Sequence, residues 1–295
     1  MESSLLIEES LQAALDGARG PAGPAMLAEA MEYAVFPGGA RLRPQLCLAV
    51  AAACSGAGAR ADAANLTALV PATALELLHC ASLVHDDLPC FDDAALRRGK
   101  PSVHAAYGEA TAVLVGDALI LLAVETVARR LRGDPVRLAP VMITVCEAVG
   151  APDGIIAGQA WEMEAEVDIA VYHRTKTAAL FVGACCAGAL SAGADPEPWR
   201  TVGAKIGEAY QALDDLKDVF ATAREIGKPV AQDRRFKRPS VLDVAGPEVV
   251  SARIRRSLRH ALAAVPVEAD ANHLARLLDG AVGRFLAMLD KSRAA

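Results

Sequence analysis

The sequence has few aromatic residues. Phe, Trp and Tyr make up 4% of the 295 residues, whereas apolar residues as a whole make up 53%. A large interior must therefore be built from aliphatic side chains, chiefly Ala and Leu, which have high helix propensity. This composition favours an all-α fold. Because no linker interrupts the chain, we predict a single domain over residues 1–295.

Long apolar runs without charge are also missing. The longest run, around Ala112 to Ala128, is interrupted by Asp117 and Glu125, whereas a membrane span needs about 20 residues almost free of charge. The start MESSLLIEES lacks the positive residues and apolar stretch of a secretory signal. We therefore predict no transmembrane helix and a cytoplasmic location.

Paired cysteines and an excess of positive charge are absent as well. The seven cysteines are odd in number and form no CxxC pair or His partner at metal-ligand spacing, so we expect reduced core residues. A net charge of -6 argues against a nucleic-acid surface, although a local basic pocket or metal ions can still hold anionic ligands. The expected partners are small molecules.

Apolar residues recur at helical spacing along most of the chain. Breaks at Gly and Pro, such as FPGG, GKP and APDG, divide it into about ten predicted helices. No repeat of solenoid length is present. The clearest helical segments are Met26–Phe36, Leu66–His85, Thr111–Leu131, Val141–Val149 and Lys176–Ala192.

Two acidic clusters follow or interrupt apolar helices. In the first, HDDLPCFDD, an apolar helix delivers Asp86 and Asp87 at its C-terminal end, and Pro89 enforces a break before Asp92. In the second, DDLKD, Asp214 and Asp215 both share a helix face with Asp218. Like charges at these positions repel, and helix C-termini disfavour anions. Mg²⁺ would remove this cost because it prefers oxygen ligands and bridges carboxylates to phosphate oxygens.

Basic residues stand close to these clusters. Arg97 and Arg98 follow the first cluster in LRRGKPS, and Arg41 and Arg43 follow a Gly-Gly turn in PGGARLRP. Guanidinium groups bind phosphate in a bidentate way and remain charged. Carboxylates and arginines together therefore suit a metal-bridged diphosphate, although surface salt bridges would explain a single such pair.

Taken together, these motifs resemble the trans-polyprenyl diphosphate synthases from about Phe36 to Leu242. DDxxxxD and DDxxD are the two aspartate-rich motifs of that family, and LRRGKP follows the first. The resemblance implies a bundle of about ten helices around a deep cavity, usually in a homodimer. It also implies condensation of isopentenyl diphosphate with an allylic diphosphate, most like the bacterial geranylgeranyl diphosphate synthases.

The resemblance further implies roles for individual residues. Asp86, Asp92 and Asp214 would be the leading ligands of three Mg²⁺ ions, supported by Asp87, Asp215 and Asp218. The allylic diphosphate would be held by Arg97, Lys176, Thr177, Gln211 and Lys228. Isopentenyl diphosphate would be held by Arg41, His79 and Arg98.

The chain departs from the family pattern at three positions. Ala40 stands where GGKRxRP has lysine, so one cation of the isopentenyl site is missing and Arg43 is a candidate to compensate. Glu162 replaces the aspartate of GQxxD. Arg238 stands where a final lysine is expected after Asp233. Without the motif match, His79 would be interpreted as a core histidine.

Product length should depend on the depth of an apolar cavity that excludes water from a carbocation. In the family, the residues five and four before the first aspartate line this tunnel, and here they are Ala81 and Ser82. The small Ala81, together with the two-residue enlargement of the first motif to the spacer LPCF, resembles the bacterial enzymes that make a C20 product. One turn deeper, Leu77 and Leu78 are candidates for the floor.

Three alternatives remain open on sequence alone. A farnesyl synthase giving a C15 product, or a longer-chain synthase, would differ only in cavity depth. A terpene cyclase would share one acidic motif but would lack the second DDxxD. A catalytically silent regulatory subunit is suggested only by the missing lysine at Ala40.

Overall fold

The computed structural model describes residues 2–20, 23–36, 38–56, 59–166, 168, 171–172, 174–220 and 246–283. Within these ranges the only sheet is a two-stranded hairpin, and the remaining regular structure is helical. The prediction of an all-α fold is confirmed. Lys228, Asp233 and Arg238 lie outside the described residues, as does the side chain of Asp218.

The described ranges contain twelve α-helices, where about ten were predicted. The difference comes from short helices at the breaks between long ones. In chain order they are α1 Glu2–Ala18, α2 Ala25–Val35, α3 Leu42–Ser55, α4 Ala59–Asp86, α5 Val103–Tyr107, α6 Glu109–Arg130, α7 Pro135–Glu147, α8 Ile155–Ala160, α9 Ala179–Ser191, α10 Glu197–Phe220, α11 Pro247–Ala263 and α12 Asn272–Leu278.

Helix α4 lies at the centre of the bundle and packs against α3, α6 and α9. Its Leu75 and Leu77 side chains are fully buried, and each buried leucine contributes about 1.5–3 kcal/mol. Small residues let helices approach closely: a Cβ on Gly188 of α9 would lie 2.4 Å from the Cys47 carbonyl oxygen of α3. The aliphatic, Ala-rich composition is therefore used for tight helix packing.

Two of the long helices are apolar enough to cross a membrane by length and composition, Asp62–Asp86 and Glu109–Arg130. These segments belong to α4 and α6, which pack against each other inside the bundle. Most of the first is buried. Core helices of a folded bundle have the same properties.

Between α4 and α5 the chain forms the hairpin Leu96–Arg97 and Lys100–Pro101. Arg98 and Gly99 form its turn with φ angles of 53° and 78°, the left-handed backbone that two-residue hairpins require. The sequence analysis interpreted GKP only as a break. The hairpin places Arg97 and Arg98 beside the end of α4.

Candidate active site

The first acidic motif folds back on itself at the C-terminal end of α4. After the turn through Leu88 and Phe91, the backbone N–H of Asp92 donates to the Asp86 carbonyl oxygen at 2.9 Å. Both Asp86 and Asp92 then line one cavity of about 500 Å³, called here the main cavity. The spacer LPCF, which enlarges the motif by two residues, thus brings two of its carboxylates to the same cavity.

Asp86 occupies a costly position for an anion. Burial, reinforced by the charge of Asp92, raises its pKa to about 6, although Lys176 and Arg97 act in the opposite direction. A carboxylate whose pKa is raised chiefly by burial is stabilised in its ionised form by any further positive charge nearby. The site is therefore suited to additional cations.

Asp87 does not line the main cavity. Its carboxylate is buried and accepts two hydrogen bonds from Arg97 Nε, at 3.0 and 3.1 Å. It lines a much smaller recess beside Arg97 and Arg98. The structure thus separates Asp87 from Asp86 and Asp92, and its contacts make it a partner that orients Arg97.

The second motif lies on α10 and lines the same cavity as the first. Asp214 and Asp215 line the cavity together with Gln211. Gln211 Nε2 donates to Asp215 Oδ1 at 2.7 Å, and the Thr177 hydroxyl donates to Gln211 Oε1. These bonds fix the orientation of Asp215 relative to the turn that carries Lys176 and Thr177.

Lys176 enters the main cavity from a π-helical turn, Arg174–Ala178. Its ammonium group pairs with Glu162, whose Oε1 also accepts from the Tyr172 hydroxyl at 2.6 Å. The replacement of the family aspartate by Glu162 therefore retains a carboxylate next to Lys176. A Cβ on Gly158 would lie 2.4 Å from the Lys176 backbone, so α8 packs directly against this turn.

Arg41 and Arg43 point to different surroundings. Arg41 is buried, donates to Glu8 and Glu76 at 2.8 Å each, and also donates to the Val35 carbonyl oxygen. It does not line the main cavity, so the expected contact with isopentenyl diphosphate receives no support from its position. It joins α1 and α4 to the start of α3.

Arg43 was named from the sequence only as a candidate to compensate for the lysine missing at Ala40. It lines the main cavity, and its Nη1 lies 3.3 Å from His79 Nε2. Since arginine can only donate, His79 accepts. Burial, followed by the charges of Arg43 and Arg98, lowers the pKa of His79 well below 6.5, which keeps the ring neutral.

Arg98 lies beside this pair, in the smaller recess. Its Nη1 donates to the Gly38 carbonyl oxygen, and a Cβ on Gly39 would lie 2.5 Å from the same nitrogen. The Gly-Gly turn is therefore needed for the guanidinium to approach the backbone, as its positive φ angles also require.

Part of the lining of the main cavity is apolar. Ala81 and Ser82 both line it, as expected for tunnel positions. Of the two candidate floor residues, Leu78 lines it, whereas Leu77 is buried elsewhere in the core. The apolar lining includes Leu78, Ala81, Ile120, Val149, Ile155 and Leu180.

Among the described residues, no three acidic, histidine or cysteine side chains lie close enough to form a metal site by themselves. The oxygen donors at the mouth nevertheless match the preference of Mg²⁺, which usually takes only one or two carboxylates and completes its shell with waters and phosphate oxygens. The donor set therefore fits Mg²⁺ held jointly with a diphosphate.

A cavity lined by carboxylates, cations and apolar side chains suits an enzyme that binds a diphosphate with an apolar tail. A family model described as polyprenyl synthetase matches residues 24–276, and the chain belongs to that family. The sequence is 47% identical to a geranylgeranyl diphosphate synthase of Cereibacter sphaeroides over 261 residues, 88% of each chain. It is 46% identical to the enzyme of the same name from Rhodobacter capsulatus, again over 88% of each chain.

Solved structures of similar enzymes have the same fold as this chain. An FPP/GFPP synthase from Zymomonas mobilis is similar with a TM-score of 0.76 and 30% identity, covering 94% of each chain. A geranyltransferase from Helicobacter pylori, complexed with magnesium and isoprenyl diphosphate, is similar with a TM-score of 0.75 and 29% identity. That match covers 98% of this chain and 97% of the other.

Proposed function

We propose that this protein is a Mg²⁺-dependent trans-prenyltransferase that condenses isopentenyl diphosphate head to tail with an allylic diphosphate and releases geranylgeranyl diphosphate. One observation carries the proposal. Asp86, Asp92 and Asp214 from both acidic motifs meet Arg43 and Lys176 at the mouth of a single cavity with an apolar interior.

The cations and carboxylates at the mouth bind the charged end of the allylic substrate. Arg97 and Lys176 hold its diphosphate, and Thr177 and Gln211 fix the turn from which Lys176 extends. Asp86, Asp92, Asp214 and Asp215 would hold the Mg²⁺ ions, three in number by family resemblance. Bound Mg²⁺ would supply positive charge that stabilises the departing diphosphate.

Condensation needs no covalent enzyme intermediate. The allylic C–O bond breaks and the diphosphate leaves with the electron pair. The π electrons of isopentenyl diphosphate then form the new C–C bond to the allylic carbon, and a proton leaves to restore a double bond, with the released diphosphate as its acceptor. The apolar walls keep water from the carbocation.

The isopentenyl diphosphate site consists of Arg43, His79 and Arg98. Arg43 and His79 line the main cavity, and Arg98 lies next to them in the recess. Arg43 takes the place that Arg41 was expected to fill. The sequence assignments of Lys228, Arg238 and Asp218 remain predictions.

A product of 20 carbons fits the small side chain at Ala81, beyond which Leu78 and Ile120 continue the apolar lining. Burial of the growing tail stabilises the complex by about 0.8 kcal/mol per CH₂. The two relatives that are 47% and 46% identical are both geranylgeranyl diphosphate synthases, which supports the same product here.

A homodimer is also proposed. Helices α6 and α7 leave large apolar side chains exposed, including Leu114, Leu121 and Ile143 at 56%, 69% and 57%. Exposed apolar patches of this kind mark protein–protein contacts, and a second copy of the chain would cover them. A measurement of the oligomeric state in solution tests the proposed homodimer.

Starter-dependent release of diphosphate tests the activity. Purified protein is mixed with isopentenyl diphosphate, Mg²⁺ and, separately, dimethylallyl, geranyl or farnesyl diphosphate. Release of diphosphate is expected with at least one starter and is expected to stop when EDTA removes the metal. Absence of release with every starter would contradict the proposal and favour the silent subunit.

A further inference from the structure

Arg43 is held by two aromatic rings. Its guanidinium carbon lies 4.8 Å from the ring centroid of Phe181 and 5.8 Å from that of Tyr210. The two rings pack together with centroids 5.1 Å apart and planes inclined by 45°. In a sequence with 4% aromatic residues, this arrangement beside the main cavity requires an explanation.

The pairing of Arg43 differs from that of three nearby cations. Arg41, Arg97 and Lys176 each form an ion pair with a carboxylate. Within the part of the chain that the structure describes, Arg43 forms no such pair, and its buried Nε has no hydrogen-bond partner. A ring face attracts a guanidinium through its quadrupole without neutralising the charge. Arg43 therefore keeps a full positive charge that no carboxylate of the described residues neutralises.

The rings are fixed by the core. Phe181 is fully buried on α9, which packs against both α3 and α10. Tyr210 lies on α10, one turn before Asp214. The position of Arg43 is thus determined by helix packing as well as by its own helix.

The lysine missing at position 40 suggests a role for the contacts between Arg43 and the two rings. Ala40 is exposed beside the Gly38–Gly39 turn and provides no charge. We propose that Phe181 and Tyr210 are positioning residues that hold Arg43 as an uncompensated cation for the diphosphate of isopentenyl diphosphate, and that this clamp offsets the absence of lysine at position 40. The inference rests on the proposed function.

Loss of a ring tests the clamp. Phe181→Leu and Tyr210→Leu are each expected to raise KM for isopentenyl diphosphate about 3- to 30-fold, while KM for the allylic diphosphate and kcat change by about twofold or less. Tyr210→Phe keeps the ring and is expected to rescue KM relative to Tyr210→Leu. Tyr107→Leu is the matched control, since Tyr107 packs edge-on against Tyr33, away from Arg43.

Direct binding separates positioning from a loss of stability. The Kd of isopentenyl diphosphate, measured by calorimetry without allylic substrate, should rise with its KM, and the Tm of each variant shows whether it is folded. Equal changes in both KM values, or an unchanged KM for isopentenyl diphosphate in folded Tyr210→Leu, would overturn the inference. If Phe181→Leu fails to fold, the comparison of Tyr210→Leu with Tyr210→Phe still tests the inference, because Tyr210 is only half-buried.

Ala40→Lys tests the compensation. Introduced into Tyr210→Leu, it is expected to lower KM for isopentenyl diphosphate at least about threefold, because a second cation replaces the weakened one. No recovery would contradict the link to position 40. A wild-type protein that forms no product from any starter would instead refute the proposed function, which is a different outcome from an active enzyme insensitive to loss of the rings.

Discussion

The carboxylate of Asp86 is placed to bind a metal ion, and this placement lowers the stability of the metal-free fold. Its pKa of about 6 is above the ordinary value of 3.8, with burial as the largest cause. The folded protein therefore binds this proton more tightly than the unfolded chain does. Ionised Asp86 destabilises the metal-free fold above about pH 6, and this destabilisation disappears as the pH falls toward 3.8.

Asp86→Asn is accordingly expected to stabilise the metal-free protein while inactivating it. Near neutral pH, its Tm without Mg²⁺ should rise by about 2–4 °C, and kcat should fall at least about a hundredfold. Thermal unfolding followed by circular dichroism, with and without Mg²⁺, measures the first effect. Asp16→Asn, at an exposed acid on α1, is the control, and a less stable but active Asp86→Asn protein would contradict the account.

Two pairs of neighbouring residues of the same type show how much of the site could be predicted from the sequence. Asp86 and Asp87 are adjacent at the end of a helix, where successive side chains point about 100° apart. Helix geometry alone could therefore have predicted that only one faces the cavity. The choice between Arg41 and Arg43 could not be made in this way, because it depends on Glu8 and Glu76, which are distant in the sequence.

At the scale of secondary-structure elements, the contact between α8 and the π-helical turn positions Lys176. Gly158→Ala would place a methyl group 2.4 Å from the Lys176 backbone. We expect a loss of about 1–3 kcal/mol in unfolding free energy and a higher KM for the allylic diphosphate. Chemical denaturation and steady-state kinetics measure these effects.

Gly17→Ala is the matched control for that substitution. Gly17 lies within α1, and a Cβ there would meet nothing within 4 Å. Alanine should stabilise this helix by roughly 0.5–1 kcal/mol. Destabilisation by both alanines to the same extent would show that the contact with Lys176 is not the cause.

Helix α4 carries the residues expected to set product length. Ala81→Phe should fill the tunnel one turn before the first aspartates and shift the main product from C20 to C15. Mass analysis of the dephosphorylated alcohols checks this. Ala252→Phe, at an exposed position on α11, should leave the product unchanged, and a C20 product from Ala81→Phe would place the limit elsewhere.

The periodic pattern predicted long helices well and short elements poorly. The predicted segments overlap α2, α4, α6 and α7, because each buries an apolar face over several turns. Lys176–Ala192 begins instead with a π-helical turn before α9. The hairpin at Arg98 and Gly99 escaped prediction because each of its strands has only two residues.

At the scale of the whole molecule, the open apolar face of α6 and α7 is expected to join two copies of the chain. Leu121→Asp, at a side chain that is 69% exposed, should convert a dimer into monomers in sedimentation experiments, because a charge would be buried in the interface. Leu66→Asp, at a side chain that is 66% exposed on α4, should leave the dimer intact. Wild-type protein that sediments as a monomer would refute the homodimer.

The mass of the product tests the central claim most directly. The protein is incubated with Mg²⁺, isopentenyl diphosphate and, in separate reactions, dimethylallyl, geranyl or farnesyl diphosphate, and the dephosphorylated alcohols are identified by chromatography and mass. We predict a dominant C20 alcohol, formed because Ala81 leaves the cavity open. A dominant C15 alcohol would retain the mechanism but contradict the assigned cavity depth, and no alcohol from any starter would contradict the proposed reaction itself.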